Sequence, residues 1–179
     1  MIEIEKVTKS FGPKRAVNAL SLTISPGEFF AFLGPNGAGK TTTIKMMVGL
    51  LRPDDGAIRL CGHDIRTDPV AAKACISYVP DEPYLYDKLT GREFLEFVGR
   101  MYRLDRARRD RRIADLADRL ALNDFLDDLA EGYSHGMKQR VVIAGALLHE
   151  PRILVVDEPM VGLDPRSVRV VKDILRELS

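Results

Sequence analysis

An α/β fold, with a mostly parallel sheet, an antiparallel β portion ahead of it and an inserted helical subdomain, is predicted by three features of this sequence. The first is a strand–glycine loop–helix unit. Glu28-Phe29-Phe30-Ala31-Phe32-Leu33 is a short apolar run that reads as a buried strand, and Lys40 to Leu50 carries Ile44, Met47 and Val48 on one helical face. Gly34-Pro35-Asn36-Gly37-Ala38-Gly39 joins them. The second is Arg152-Ile153-Leu154-Val155-Val156-Asp157-Glu158, an apolar run ending in two acids. Parallel strands buried on both faces read this way. The third is a change of character from about 85 to 150, where apolar positions recur at helical rather than strand spacing.

The elements follow in order. Ile2 to Val7 alternates as a half-exposed strand, and Leu20, Leu22 and Ile24 alternate again. Pro53-Asp54-Asp55-Gly56 is a turn leading into a strand over Ala57–Leu60. Ile76–Val79 is a further strand, stopped by Pro80. Thr90 and Glu93 make a capping box at the start of a helix bearing Phe94, Leu95, Phe97, Val98 and Met101. Arg106 to Leu122 is helical, with Ile113, Leu116, Ala117 and Leu120 on one stripe. Asp164-Pro165 starts a last helix towards Leu178, with Pro165 at its first position. No internal repeat or low-complexity stretch is present.

The chemistry is concentrated in the glycine loop. Gly34 to Thr41 has the form G-x-x-x-x-G-K-T, the phosphate-binding loop of nucleotide triphosphatases, and its context is the strand and helix that the motif requires. The fold class is therefore that of a P-loop NTPase. Glycines let the backbone turn its N–H groups inward, and the helix start adds a partial positive charge. Lys40 can reach the terminal phosphates of ATP, the Thr41 hydroxyl can bind Mg²⁺, and Thr42 continues the loop into the helix. Asp157, at the carboxyl end of its strand, would hold Mg²⁺ through water, and Glu158 could orient or deprotonate the attacking water.

The remaining composition excludes more than it proposes. The chain has 179 residues, 45% of them hydrophobic, with a net charge of +1, so bulk electrostatics names no partner. Cys61 and Cys75 have no metal-ligand spacing and, with no signal peptide, read as reduced cytosolic thiols. No apolar run approaches the ~18 residues that span a bilayer. Eight arginines lie between Arg100 and Arg119, interspersed with Asp105, Asp110, Asp115 and Asp118. That pattern is a solvated helix face laced with ion pairs, and no direct nucleic-acid contact is expected.

Two further segments give the order of motifs a family likeness. Tyr133-Ser134-His135-Gly136-Met137-Lys138-Gln139-Arg140 leads an apolar helix before the acidic strand, and Val161-Gly162-Leu163-Asp164-Pro165 follows that strand. With the phosphate loop, these resemble the ATP-binding subunits of ABC transporters along the whole chain. Tyr-Ser-His-Gly-Met and Val79-Pro80-Asp81-Glu82-Pro83 are most similar to bacterial multidrug or ABC-2-type export ATPases. The resemblance implies one ABC ATPase domain over 1–179, with a nucleotide-binding core at 1–85 and 150–179 and a helical subdomain at 86–149. It makes Phe11 the aromatic that stacks on adenine. Gly34, Pro35, Asn36, Gly37, Ala38, Gly39, Lys40, Thr41 and Thr42 become contacts of ATP, with Thr41, Asp81 and Asp157 on Mg²⁺. Lys40 and Glu158 are implied to be catalytic. Ser134, His135, Gly136 and Met137 match the signature loop, which contacts ATP held by the other subunit, and Asp164 matches the loop that crosses the dimer interface.

Departures from the family pattern set further expectations. The signature usually reads Leu-Ser-Gly-Gly-Gln, and here His135 and Met137 replace a Gly and the Gln. Asp81 stands where the family has a Gln. The switch His of the family has no counterpart, since His63, His135 and His149 fall elsewhere, so the resemblance implies a C-terminally truncated subunit with little turnover. It also implies a homodimer with two ATP at its interface, a transmembrane permease partner, and a cytoplasmic place on the inner face of the membrane. A soluble ABC-type ATPase of translation or DNA repair, and a non-hydrolysing regulatory module, are the alternative readings.

Overall fold

The computed structural model describes residues 1–158, 160 and 163–177, and of Arg166 and Glu177 the backbone alone. The chain divides into two compact units, Met1–Ser77 and Tyr78–Ser179.

The first unit is built on an antiparallel sheet ordered β2-β1-β3-β4, from β1 (Ile2–Phe11), β2 (Lys14–Ile24), β3 (Asp55–Leu60) and β4 (His63–Asp64). Ile2 pairs with Ile24 on one side and with Leu60 on the other. The expected alternation puts Ile2, Ile4 and Ile58 into the core. Three register shifts interrupt the pairing of β1 with β2, and two of them hold a residue of positive φ. Lys6 takes φ 48° and Ala19 φ 46°. Each bulged amide is taken up by a hydroxyl across the ladder, Lys6 N–H donating to Ser21 Oγ and Ala19 N–H to Thr8 Oγ1, both at 3.0 Å. A bulge leaves its backbone unpaired, and these side chains satisfy it. Helix α1 (Lys40–Met47) buries Ile44, Met46 and Met47, and α2 (Pro69–Ala74) buries Ala72.

One expected element is absent. Residues 28–33 form no strand, and Phe29 and Leu33 are 75% and 90% exposed. A strand exists only through hydrogen bonds to a neighbour. Among the described residues none pairs with this segment, so its apolar composition does not become a strand.

The second unit contains the helices α3 (Gly91–Met101), α4 (Arg106–Arg119), α5 (His135–Leu147) and α6 (Pro165–Glu177). It also contains β6 (Ile153–Val156), paired with β5 (Ile76–Val79), of which Tyr78 and Val79 belong to this unit. Asp157 N–H donates to Val79 C=O at 2.9 Å, tying the carboxyl ends of β5 and β6 together, so the pair runs parallel. The core holds Leu95, Leu116, Leu120, Leu126 and Leu148 at full burial. Each such side chain contributes about 1.5–3 kcal/mol relative to exposure. The capping box at Thr90 forms as the sequence predicts, with Glu93 N–H on Thr90 Oγ1 at 3.1 Å. Helix α4 ends at Arg119, earlier than the apolar stripe suggests, because Ala121 turns to φ 51° and Leu122 returns to the core by a turn instead. The last helix ends at Glu177, and Leu178 lies outside the described residues.

Candidate functional site

The phosphate loop belongs to the first unit. Gly34, Gly37 and Gly39 take φ 154°, 83° and 88°, conformations that residues with a Cβ rarely adopt. Gly39 is under a second constraint: a Cβ there would lie 2.5 Å from the carbonyl oxygen of Ala16 in β2. It is the cap residue of α1 and has no side chain to offer the first amides of that helix. Pro35, Asn36, Gly37, Ala38 and Thr41 are exposed, and Thr42 is half-buried.

Lys40 folds back over the loop. Its Nζ donates to the carbonyls of Gly34 at 2.6 Å and Pro35 at 2.9 Å. The ammonium is thus held by neutral dipoles alone. A polyphosphate offers charged acceptors, and charge-assisted bonds are roughly twice as strong as neutral ones. The glycine conformations, the uncapped helix start, the Lys40 ammonium and the exposed Thr41 hydroxyl together fit a phosphate chain with its Mg²⁺. Phe11, also in this unit, closes β1 with its ring 51% exposed. The Lys9 ammonium sits 5.7 Å from the ring centroid and pairs with Asp54 at 2.7 Å. That hydrogen bond, followed by the Ser10 amide, holds the Asp54 carboxyl below its usual range.

In the second unit, the carboxyl ends of β5 and β6 gather acids. The Tyr78 hydroxyl is pushed up to about 12, first by burial and then by the charges of Asp157 and Asp81. Both carboxylates therefore lie within electrostatic reach of one phenol. One or two carboxylates with water suit Mg²⁺. Glu158, the next residue, is exposed and takes φ 46°. A side chain held in the left-handed region costs on the order of 1–3 kcal/mol and is a common mark of a working position. Pro159, Val161 and Gly162 of the flanking motifs lie outside the described residues.

Ser134 caps α5. Its hydroxyl accepts the Met137 amide at 3.3 Å, and its own N–H meets Met137 Sδ at 3.4 Å. A thioether is a weak acceptor, so Met137 reproduces in sulfur the capping box that a Gln would make. His135 is the first, exposed residue of the helix. Gly136 is buried, and a Cβ there would be 2.9 Å from Ser167 Oγ and 3.0 Å from Asp164 Oδ2. Asp164 caps α6, accepting from Ser167 N–H at 3.0 Å and Ser167 Oγ at 2.6 Å.

The structure thus groups Lys40 with its loop, Asp81 with Asp157, and Gly136 with Asp164. Tyr133 was not foreseen. Its buried hydroxyl accepts from Gly91 N–H at 3.0 Å and donates to Phe125 C=O at 2.7 Å, fastening the turn before Ser134 to the start of α3. Burial pushes the phenol pKa up. The available signal was an aromatic residue where the signature usually has Leu. Tyr78, a phenol that feels the charges of both Asp157 and Asp81, was likewise missed, being an unremarked residue of an apolar strand.

Comparison with known proteins gives these motifs a context. The family described as ABC transporter matches residues 17–161. The linearmycin resistance ATP-binding protein LnrL of Bacillus subtilis (strain 168) is 40% identical over 179 residues, covering 100% of this chain and 58% of that protein. The Nod factor export ATP-binding protein I of Paraburkholderia xenovorans (strain LB400) is 41% identical over 177 residues, covering 99% and 58%. Among solved structures, the dimeric post-hydrolysis state of the ATP-binding cassette MJ0796 bound to ADP and Pi superposes with a TM-score of 0.87 at 27% identity, covering 99% of this chain and 82% of that one. The chain spans about 58% of the length of these two relatives.

Proposed function

Because the chain belongs to the ABC transporter family of ATP-binding proteins, we propose that it binds and hydrolyses ATP to drive a membrane transporter, and that this transporter is an exporter. One observation carries the reading: the Lys40 ammonium rests on the carbonyls of Gly34 and Pro35, inside a loop of left-handed glycines at an uncapped helix start. A triphosphate would offer this ammonium charged oxygens in place of the two neutral carbonyls.

Gly34 to Thr42 cradle the phosphates, and Phe11 offers its exposed face to the base. Thr41, Asp157 and Asp81 would hold Mg²⁺, which when bound neutralises charge on the β- and γ-phosphate oxygens. Glu158 orients the attacking water and accepts its proton. The oxygen of that water attacks the terminal phosphorus in line, the bond to the leaving oxygen breaks, and ADP and phosphate result. Catalysis is positioning and charge stabilisation, with little covalent chemistry.

The active assembly is a homodimer with two ATP at its interface, each held between one subunit's phosphate loop and the Ser134–Met137 loop of the other, with Asp164 at the crossing. The ATP-binding cassette that this chain resembles is dimeric with ADP and Pi bound, which supports the reading. The partner is a transmembrane permease, and the subunit works on the cytoplasmic face of the membrane. Among the described residues no helix is long and apolar enough to cross a membrane. Tyr84, Tyr86 and Phe97, packed edge to face and exposed, offer an apolar surface to such a partner. Relatives named for linearmycin resistance and Nod factor export favour an exporter over a soluble translation or repair ATPase.

The test is Glu158→Gln. The amide keeps shape and loses the proton acceptor, so ATP binding persists while turnover falls about 10²-fold or more, the scale of general-base catalysis. Phosphate release at the unmodified rate would overturn the assignment.

A further inference from the structure

Helices α3 and α4 flank an open cavity of about 670 Å³ lined by Arg92, Glu96, Arg100, Arg106, Arg109, Asp110 and Ile113. Four guanidinium groups face two carboxylates there, and the partners are shared unevenly. Arg109 is the floor, only 8% exposed. Its Nε and Nη2 both reach a single oxygen, Asp110 Oδ1, at 3.1 and 3.0 Å. The other oxygen of Asp110 is 3.6 Å from Arg106 Nε. One carboxylate therefore serves two cations. At the rim, Arg100 meets Glu96 at 3.1 Å, and Arg92 forms a two-pronged pair with Asp127 at 2.6 and 3.0 Å.

This arrangement differs from the rest of the arginine-rich segment, where Arg108 pairs with Glu150 and Arg119 with Asp115 on the solvated face that the sequence predicts, and the part-covered Arg112 is held by Asp115 and the Leu147 carbonyl. Arg109 is turned inward, and the fold makes room for it. A Cβ at Gly99 of α3 would lie 2.7 Å from Arg109 Cγ and 2.8 Å from Cδ, so the missing side chain at Gly99 is the channel through which the arginine stem passes. A buried charge is costly unless it is well paired. A neighbouring residue's carboxylate, already divided with Arg106, leaves the floor of the cavity electropositive.

We propose that the α3–α4 cavity is a binding site for a phosphate group, with Arg109 as its floor and Arg100 and Arg106 as its rim. The planar fork of arginine matches phosphate oxygens two at a time. With Arg92 held by Asp127, the cluster keeps one positive charge in excess, the sign that the anionic phosphate group requires. The volume admits a substituent beyond the phosphate, so a lipid headgroup and a soluble phosphate compound share the required chemistry. The site is distinct from the phosphate loop and does not rest on the function proposed for that loop.

The experiment is a titration of the protein with sodium pyrophosphate at constant ionic strength, followed by NMR at the Gly99 amide and the Arg109 Nε–H. The Gly37 and Gly39 amides report the phosphate loop separately in the same spectra. Saturable movement of the Gly99 and Arg109 signals is expected, weakened tenfold or more in Arg100→Gln/Arg106→Gln and in Arg109→Gln. The double variant alters exposed groups only, so it decides the matter where Arg109→Gln does not fold. Signals that stay still, that drift without saturating, or that respond equally in the double variant would overturn the proposal. Phosphatidylcholine vesicles with and without phosphatidic acid then separate the sources. Sedimentation that requires phosphatidic acid and is lost in the double variant assigns the site to a headgroup. Saturable pyrophosphate binding without it assigns the site to a soluble ligand.

Discussion

Helix α1 begins on Gly39, which has no side chain to cap it, whereas α5 begins on Ser134, whose hydroxyl takes the Met137 amide at 3.3 Å and whose own N–H meets the Met137 sulfur. Both starts carry small residues, and both match motifs that the family resemblance assigns to phosphate. Their surroundings differ further. The loop before α1 is exposed from Gly34 to Ala38, while Gly136, in the first turn of α5, is buried against Ser167 and Asp164. A helix start whose donors are unused is ready for an anion on its own. A start that has satisfied its donors internally gains less from one. On the function proposed above, the α1 loop is a site in itself, and the α5 loop would contribute when a second subunit brings it a phosphate.

The largest expected effect comes from filling the open start. Gly39→Ala forces a Cβ to within 2.5 Å of the Ala16 carbonyl at φ 88°. The backbone strain alone costs about 1–3 kcal/mol, and α1 must shift away from β2. Calorimetry should find ATP binding abolished and the melting temperature lowered. Binding at the wild-type level would mean that α1 does not set the phosphate site.

A smaller effect follows from opening the closed start. Ser134→Ala removes the cap of α5 and should cost about 0.5–2 kcal/mol of stability, as N-cap truncations do. ATP affinity of the monomeric protein should not change, because the amides of α1 are untouched. Urea unfolding and an ATP titration of the same variant check both halves. A loss of monomer affinity would break the contrast between the two helices.

How much of this was legible in the sequence depends on the range of the interaction. The capping box at Thr90 and Pro165 at the head of α6 are written within a few neighbouring residues, and they form as read. The contact of Gly136 with Asp164 and Ser167, and the anchoring of Tyr133 under Gly91, join residues far apart in the chain, and no local pattern encodes them. The segment 28–33 shows the converse. Its composition states what a strand would bury, and pairing requires a partner that composition does not supply. Arg109 was hidden for another reason: within a run of arginines, nothing but the missing side chain of Gly99 marks the one that turns inward.

The subtlest effect lies at the far end of α5. His149 stacks on Tyr102 with ring centroids 3.5 Å apart, and burial pushes its imidazole down to about 4 from 6.5. Between those two values the unfolded chain binds a proton that the folded chain refuses. The contribution of His149 to stability is therefore complete above pH 6.5 and is lost as pH falls towards 4. His149→Phe keeps a stacked ring and removes the titration, so its melting temperature should fall less than that of the wild type between pH 7 and pH 5. Parallel curves would show that α5 is not anchored at this end by a neutral imidazole.

Amide hydrogen exchange on the monomeric protein, with and without MgATP, compares the two helix starts most directly. The account predicts protection over Gly37 to Thr42 and none over His135 to Lys138. Protection at His135 to Lys138 with none at Gly37 to Thr42, or equal protection of both in the monomer, would contradict it.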